Sequence, residues 1–99
     1  MSRPIRLSSA AQHDLQTAKD WYADKGVPGL ELRFLDALEE VFTRMETFPA
    51  SFRVVYRDVR QANLQRFPFG VFYHERGNDL YVLAICHHAR HPRTWQRRR

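Results

Sequence analysis

Basic and imidazole side chains are concentrated at the carboxyl-terminal end of the sequence. Guanidinium groups recognise phosphates and carboxylates through paired hydrogen bonds, and imidazoles exchange protons near neutral pH. Such a concentration of positive charge predicts a surface that binds nucleic acid or an acidic protein. The residues concerned are His87, His88, Arg90, His91, Arg93, Arg97, Arg98 and Arg99.

The spacing of His87 and His91 raises the question of a metal site. Two histidines four residues apart share a face on a helix, but His87 and the adjacent His88 end a predicted strand and leave it on opposite faces. The one cysteine, Cys86, has no second cysteine to pair with and is expected to be a small buried hydrophobic residue. We therefore expect no metal site, no cofactor and no disulfide, which suits a reducing cytoplasm.

Length and composition predict one globular domain that spans residues 1–99. The chain is 43% hydrophobic and 13% aromatic, which excludes a disordered protein. No apolar run approaches the roughly 20 residues that span a bilayer, and Met1 to Leu7 lack the apolar core of a signal peptide. With 16 Lys+Arg against 11 Asp+Glu, the net charge is +5. We expect a basic, cytoplasmic protein.

The first half of the chain has the pattern of a strand followed by two amphipathic helices. Arg3 to Leu7 alternates like a strand, and Pro4 places it at a sheet edge. Ser9 and Gln12 match a capping box that starts a helix over residues 10–24, and a second helix is predicted over residues 28–47. The apolar stripes are Ala11, Leu15, Ala18 and Tyr22, flanked by Trp21, and then Leu30, Phe34, Leu38, Val41, Phe42 and Met45.

From Phe52 onward the apolar pattern has a period of two, which is typical of strands. Residues 76–79, Arg-Gly-Asn-Asp, predict the turn of an antiparallel hairpin, and the run 81–86 is apolar on both faces, as in a central strand. The expected fold is α+β in the order β-α-α-β-β-β, an antiparallel sheet with a two-helix hairpin packed on one face. The tail beyond Trp95 is expected to be mobile. The strand patterns cover residues 53–57, 59–67, 69–75 and 80–87.

This order of elements resembles the RelE/ParE toxin superfamily over almost the whole chain. The resemblance is carried by Asp14-Leu15 and Trp21-Tyr22, by residues 66–73 (Arg-Phe-Pro-Phe-Gly-Val-Phe-Tyr), and by the closing pattern His87-x-x-Arg90-x-Pro92-x-x-Trp95. It implies a bacterial type II toxin, also described as a plasmid stabilisation protein, that a cognate antitoxin neutralises. Such antitoxins combine a small DNA-binding module with an acidic, amphipathic tail, which suits a toxin of net charge +5. The sequence is also compatible with a homodimer.

The superfamily includes two toxic activities with different chemistry. RelE-like members cut messenger RNA in the ribosome without a metal, which requires a base, a cation and an acid. Arg90 matches the family arginine at the end of the last strand, and His87 and His91 are candidates for the base and the acid. RNA-cutting members usually have a second arginine in the preceding strand, where this chain has Gly70.

The resemblance therefore favours ParE-like inhibition of DNA gyrase. Some RNA-cutting members also have a catalytic tyrosine near the C-terminus, where this chain has Trp95 and Gln96. A RelE-like endoribonuclease is the alternative, and an orphan that only binds its antitoxin is a third interpretation. The residues expected to contact the target are Arg60, Arg66, Arg90, Arg93 and Trp95. The competing interpretations are a structural ion pair for Arg90, solvated side chains or antitoxin contacts for Arg60 and Arg66, and anchoring of the C-terminal segment for Trp95.

Overall fold

A computed structural model describes residues 3–99, which form five strands, two long helices and a short C-terminal helix. The predicted α+β class is confirmed, and the two long helices pack on one face of the sheet. In chain order the elements are β1 (Ile5–Leu7), α1 (Ser9–Ala23), α2 (Leu30–Thr47), β2 (Arg53–Tyr56), β3 (Val59–Asn63), β4 (Phe69–Arg76), β5 (Asp79–His87) and α3 (Arg93–Gln96).

The sheet has the strand order β1-β5-β4-β3-β2, so the apolar strand β5 is internal as predicted. Pairs β2–β3, β3–β4 and β4–β5 are antiparallel, because short loops connect these strands. The prediction of an entirely antiparallel sheet is wrong at one edge, where β1 pairs parallel to β5. β1 precedes both helices, and no short hairpin forces it to run antiparallel to its neighbour.

The four strand patterns predicted after Phe52 correspond to β2, β3, β4 and β5, so the predicted order β-α-α-β-β-β has one strand too few. Two tight turns lie at the first two breaks between these strands. Arg57, with a φ of 53°, turns the chain between β2 and β3. A second turn follows Asn63, where Arg66 has a φ of 70° and the Leu64 N–H donates to the Phe69 carbonyl. β3 therefore ends before residue 67. The predicted hairpin turn between β4 and β5 is confirmed, with Gly77 at a φ of 61°.

Both long helices begin close to their predicted positions. Ser8, not Ser9, caps α1: its hydroxyl accepts a hydrogen bond from the Ala11 N–H at 3.0 Å. The predicted capping box is therefore wrong: position N3 is Ala11, which has no group to bond back, and the Ser8 N–H donates to the Val82 carbonyl instead. α2 begins at Leu30, directly after Gly29, whose φ of 77° suits a residue without a side chain.

The main core lies between the helices and the sheet, and a smaller cluster lies on the opposite face. The main core contains an aromatic cluster in which Tyr22 and Phe34 lie against Phe67 and Phe69. The smaller cluster surrounds Trp95 of α3 and is formed by Val59, Phe72, Leu83, Ala84, Cys86 and Trp95. Within residues 3–99, no helix combines the length and hydrophobicity that a bilayer crossing requires.

Candidate functional site

Five predicted site residues meet at one end of the sheet, where β5 leads into α3. The His88 N–H donates to the Pro68 carbonyl at 2.8 Å, and the Arg90 N–H donates to the His87 carbonyl at 3.0 Å. These bonds fold the chain into a tight connection before Pro92 starts α3. The side chain of Arg90 stays 48% exposed and is accessible to a partner. The residues brought together are His87, Arg90, His91, Arg93 and Trp95.

Asp14 of α1 is a buried carboxylate that connects three elements at this end. Its Oδ2 accepts a hydrogen bond from the Ile85 N–H of β5 at 3.0 Å and from the Arg98 guanidinium at 2.6 Å. Arg90 lies on the other oxygen, with 3.6 Å between its Nη1 and Oδ1. Beyond Leu7 the edge of β5 is no longer paired with β1, so the Asp14 carboxylate takes the place of a strand partner for Ile85. The apolar stripe predicted for α1 contains Leu15 and not Asp14, so the burial of Asp14 was not expected.

The C-terminal tail is docked, which corrects the prediction that it is mobile. Arg98 bonds to Asp14 and to the Leu83 carbonyl, and Arg99 makes two hydrogen bonds to Asp58, at 2.7 and 2.8 Å. The hydrogen bond to Asp14 raises the pKa of Arg98, and the hydrogen bond from Arg99 lowers the pKa of Asp58 to about 2. The tail is therefore held at two points and is not a freely solvated end.

A groove of about 520 Å³ lies between α1 and the free edge of β5. We call it the α1–β5 groove. Its floor is apolar and its rim carries basic side chains, a combination suited to an amphipathic, acidic segment. Trp21 forms one wall and is 55% exposed, so the residue that flanks the predicted apolar stripe is not part of the core. The lining residues are His13, Asp14, Thr17, Ala18, Trp21, Phe69, Ile85, His87, Arg90 and Arg98.

The opposite face of the sheet has a side-chain amide network over Gly70. The Gln61 amide donates to the Asn63 side-chain oxygen at 2.8 Å, and His88 Nε2 lies 3.2 Å from the same oxygen. A Cβ atom at Gly70 would lie 3.0 Å from the Asn63 Oδ1 and 3.2 Å from the Gln61 Nε2. The space above Gly70 is therefore already occupied, and a long side chain there would have to displace both amides.

Trp95 anchors α3 on this same face. Its ring stacks on Phe72 with 4.3 Å between centroids and 17° between planes, and it is 6% exposed. Tyr56 meets it edge-on at 5.9 Å. The predicted anchoring role is confirmed, whereas the proposed contact with a target is not available to a buried ring. Cys86 is buried in the same cluster, and burial raises the pKa of its thiol.

His87 and His91 each accept a hydrogen bond on one ring nitrogen from a backbone N–H two residues later. The Ala89 N–H donates to His87 Nδ1 at 2.9 Å, and the Arg93 N–H donates to His91 Nδ1 at 3.1 Å. A neutral imidazole whose Nδ1 accepts carries its proton on Nε2, which is then a donor and cannot act as a base. Among residues 3–99, no three His, Cys, Asp or Glu side chains are grouped closely enough to hold a metal ion.

Arg60 and Arg66 lie apart from this end of the sheet. Arg60 donates to the Ala50 and Phe52 carbonyls at 3.2 and 2.6 Å, which ties the segment before β2 to β3. Arg66 is exposed in the turn after β3 and lines a depression on α2 together with Arg33 and Asp36. The structure thus gives Arg60 a structural role and separates Arg66 from Arg90.

Comparisons with known proteins give a consistent assignment. The family model of the ParE toxin of the type II toxin–antitoxin system parDE matches residues 5–92. A chromosomal ParDE toxin–antitoxin system from P. aeruginosa is similar in structure, with 20% identity over 87% of this chain and 96% of that chain, and a TM-score of 0.74. The toxin–antitoxin complex RelBE2 from Mycobacterium tuberculosis is also similar, with 17% identity over 88% of this chain and 99% of that chain, and a TM-score of 0.62. No curated protein sequence matches the chain.

Proposed function

Because the chain belongs to the ParE toxin family of type II toxin–antitoxin systems, we propose that it inhibits DNA gyrase in the cytoplasm and is neutralised by a cognate antitoxin. The observation that carries this choice of target is the occupied space above Gly70. At the matching position RNA-cutting members of the superfamily usually have an arginine, and here the Asn63 and Gln61 side chains lie over the glycine.

The alternative, ribosome-dependent cleavage of messenger RNA, has less support in the side-chain chemistry. Cleavage through the 2′-hydroxyl requires a base, and the Nδ1 atoms of His87 and His91 already accept backbone hydrogen bonds. Arg90 supplies one cation beside the sheet, while Trp95 lies buried on Phe72 where an acid could otherwise stand. A cation alone stabilises charge but moves no proton.

We expect the purified toxin to block supercoiling of relaxed plasmid by gyrase and to accumulate cleaved plasmid. Arg90→Gln is expected to reduce this activity at least about tenfold, as for removal of one charged group from a binding surface. Arg76→Gln, which changes an exposed arginine on the β4–β5 hairpin, should keep the activity of the wild type.

A parallel assay tests for cleavage of messenger RNA when the toxin is incubated with ribosomes and the messenger. If supercoiling is unimpaired and the messenger is cut at specific codons, the target is the ribosome and not gyrase. No effect in either assay would favour an orphan that only binds its antitoxin.

We further propose that the acidic, amphipathic tail of the antitoxin binds in the α1–β5 groove. Trp21 and Phe69 offer apolar surface, while Arg90 supplies positive charge at the rim and His13 and His87 offer imidazole groups for hydrogen bonds. A groove with exposed apolar surface is typical of a site that binds another protein, and a large aromatic side chain at its wall is typical of binding hot spots. The antitoxin would carry its DNA-binding module outside this contact.

Trp21→Glu is expected to weaken antitoxin binding at least about tenfold, because it removes the aromatic wall and adds a charge that repels acidic residues. Leu32→Glu is the matched control, since Leu32 is also an exposed large hydrophobic residue, 64% exposed, but lies on α2 outside the groove. Isothermal titration of each variant with the antitoxin measures the difference. Equal affinities for both variants would place the antitoxin elsewhere.

A further inference from the structure

We propose that the outward face of α3 binds the phosphate backbone of duplex DNA. This surface, called the α3 face, is formed by Arg93 and Thr94 of α3 and by His91 and Arg97, which flank the helix. The inference rests on the proposed function, because it gives the toxin a direct contact with the DNA that gyrase holds.

The position of Trp95 determines which residues α3 presents to solvent. Arg93 and Arg97 are separated by one helical turn and therefore share a face, and both are exposed. Trp95 lies between them in sequence and is buried against Phe72 on the other side of the helix. The stacking of Trp95 thus fixes the two guanidinium groups on the outside of the molecule.

Among residues 3–99, no carboxylate forms an ion pair with the arginines of the α3 face. Within residues 3–99, ion pairs involve Arg90, Arg98 and Arg99 at this end of the chain, but neither Arg93 nor Arg97. No aspartate or glutamate follows Asp79 in the sequence. Two unpaired arginines at a fixed spacing are expected to attract a polyanion, since each phosphate neutralised releases a bound counterion.

The side-chain composition favours a phosphate backbone over an acidic protein segment. The α3 face forms a shallow depression of about 410 Å³ lined by arginine, histidine and threonine, without an apolar residue. Protein interfaces usually centre on buried aromatic or aliphatic anchors, which the α1–β5 groove has and the α3 face lacks. Arginine and threonine side chains are frequent donors to DNA phosphates, and His91 Nε2 adds a third type of donor.

The same composition favours duplex DNA over single-stranded nucleic acid. Proteins that bind single strands stack the bases on exposed aromatic rings. Trp95 is the aromatic residue of α3, and its ring is covered by Phe72 and Tyr56. The α3 face therefore offers donors for a backbone and no platform for a base.

The test measures binding of the intact toxin to a fluorescent duplex of roughly two helical turns, by anisotropy, at salt concentrations between about 50 and 200 mM. The wild type is expected to bind with an affinity that falls as salt increases. In the double variant Arg93→Gln/Arg97→Gln, the slope of log K against log salt should decrease by about two, one for each phosphate that is no longer neutralised, with at least about tenfold weaker binding at the lowest salt.

Arg33→Gln/Arg53→Gln is the control, since it removes the same charge from two exposed arginines elsewhere. Full retention of binding by the control, with the loss confined to the α3 variant, supports the proposal. Equal losses in both variants would attribute binding to net charge and overturn it. Tighter binding of a single strand than of the duplex would also overturn it, as would a loss of antitoxin affinity in the α3 variant with DNA binding unchanged.

The assay contains no gyrase, so its result is separate from that of the proposed function. A toxin that traps gyrase on plasmid but has no affinity for the free duplex would disprove the DNA contact and leave gyrase as the target. A toxin that binds the duplex through Arg93 and Arg97 but leaves supercoiling unimpaired would disprove gyrase as the target and leave the DNA contact of the α3 face.

Discussion

Replacing Asp14 with alanine is expected to lower the free energy of unfolding by about 3 kcal/mol, because it leaves a buried donor and a partly buried charge without a partner. The Ile85 N–H loses its acceptor at the free edge of β5, and Arg98 loses the carboxylate that holds it 2.6 Å away. For a chain of this size such a loss lowers the melting temperature by more than about 10 °C. Chemical denaturation followed by circular dichroism measures the change.

Two further variants separate the parts of this effect. Asp14→Asn keeps an acceptor for Ile85 but removes the negative charge, so it should fall between the wild type and alanine. Asp58→Ala deletes the same group from an exposed ion pair with Arg99, whose side chains are 52% and 35% exposed, and should have little effect. If Asp14→Ala is no more destabilising than Asp58→Ala, Asp14 does not connect α1, β5 and the tail as the geometry indicates.

Local patterns in the sequence were sufficient to predict most elements of the fold. The apolar run of β5 on both faces predicted an internal strand, and the turn at Gly77 predicted the β4–β5 hairpin. Both features depend on residues that are neighbours in sequence. The parallel pairing of β1 depends instead on contacts between residues such as Ile5 and Leu80, and no local pattern encodes the direction of a distant strand.

Asp14 shows why the charged part of the site was missed. It lies three residues after Ala11 and four before Ala18, so its spacing places it on the buried face of α1 with these two alanines. A hydrophobicity pattern treats an aspartate as a surface residue and selects Leu15, which is only partly buried. The spacing alone could have identified Asp14 as buried. Its partners, Ile85 and Arg98, are remote in sequence, so the spacing of residues in α1 does not identify them.

The basic C-terminal segment was identified correctly as a group but not residue by residue. Sequence alone gives every arginine the same charge, whereas the fold pairs Arg98 and Arg99 with carboxylates and leaves Arg93 and Arg97 exposed. The difference arises from two carboxylates remote in sequence: Asp14 of α1 pairs with Arg98, and Asp58, in the turn between β2 and β3, pairs with Arg99. Identification of the unpaired arginines therefore requires the three-dimensional structure.

Trp95→Ala is expected to lower the free energy of unfolding by about 3 kcal/mol, because it removes a buried aromatic side chain and leaves a cavity over Phe72. Since α3 has four residues and no other buried side chain, it should detach when the ring is removed. Detachment would release the tail, so amide hydrogen exchange at Gln96 to Arg99 should accelerate together with the loss of stability.

The second tryptophan provides the matched control for this prediction. Trp21→Ala removes the same kind of side chain from a wall of the α1–β5 groove, where Trp21 is 55% exposed. The free energy of unfolding should therefore decrease by no more than about 1 kcal/mol. The two variants should also separate the two interfaces: Trp95→Ala should impair duplex binding by the α3 face, and Trp21→Ala should impair antitoxin binding. Similar destabilisation by both substitutions, or unchanged protection of the tail in Trp95→Ala, would show that α3 is held by Arg98 and Arg99 and does not depend on Trp95.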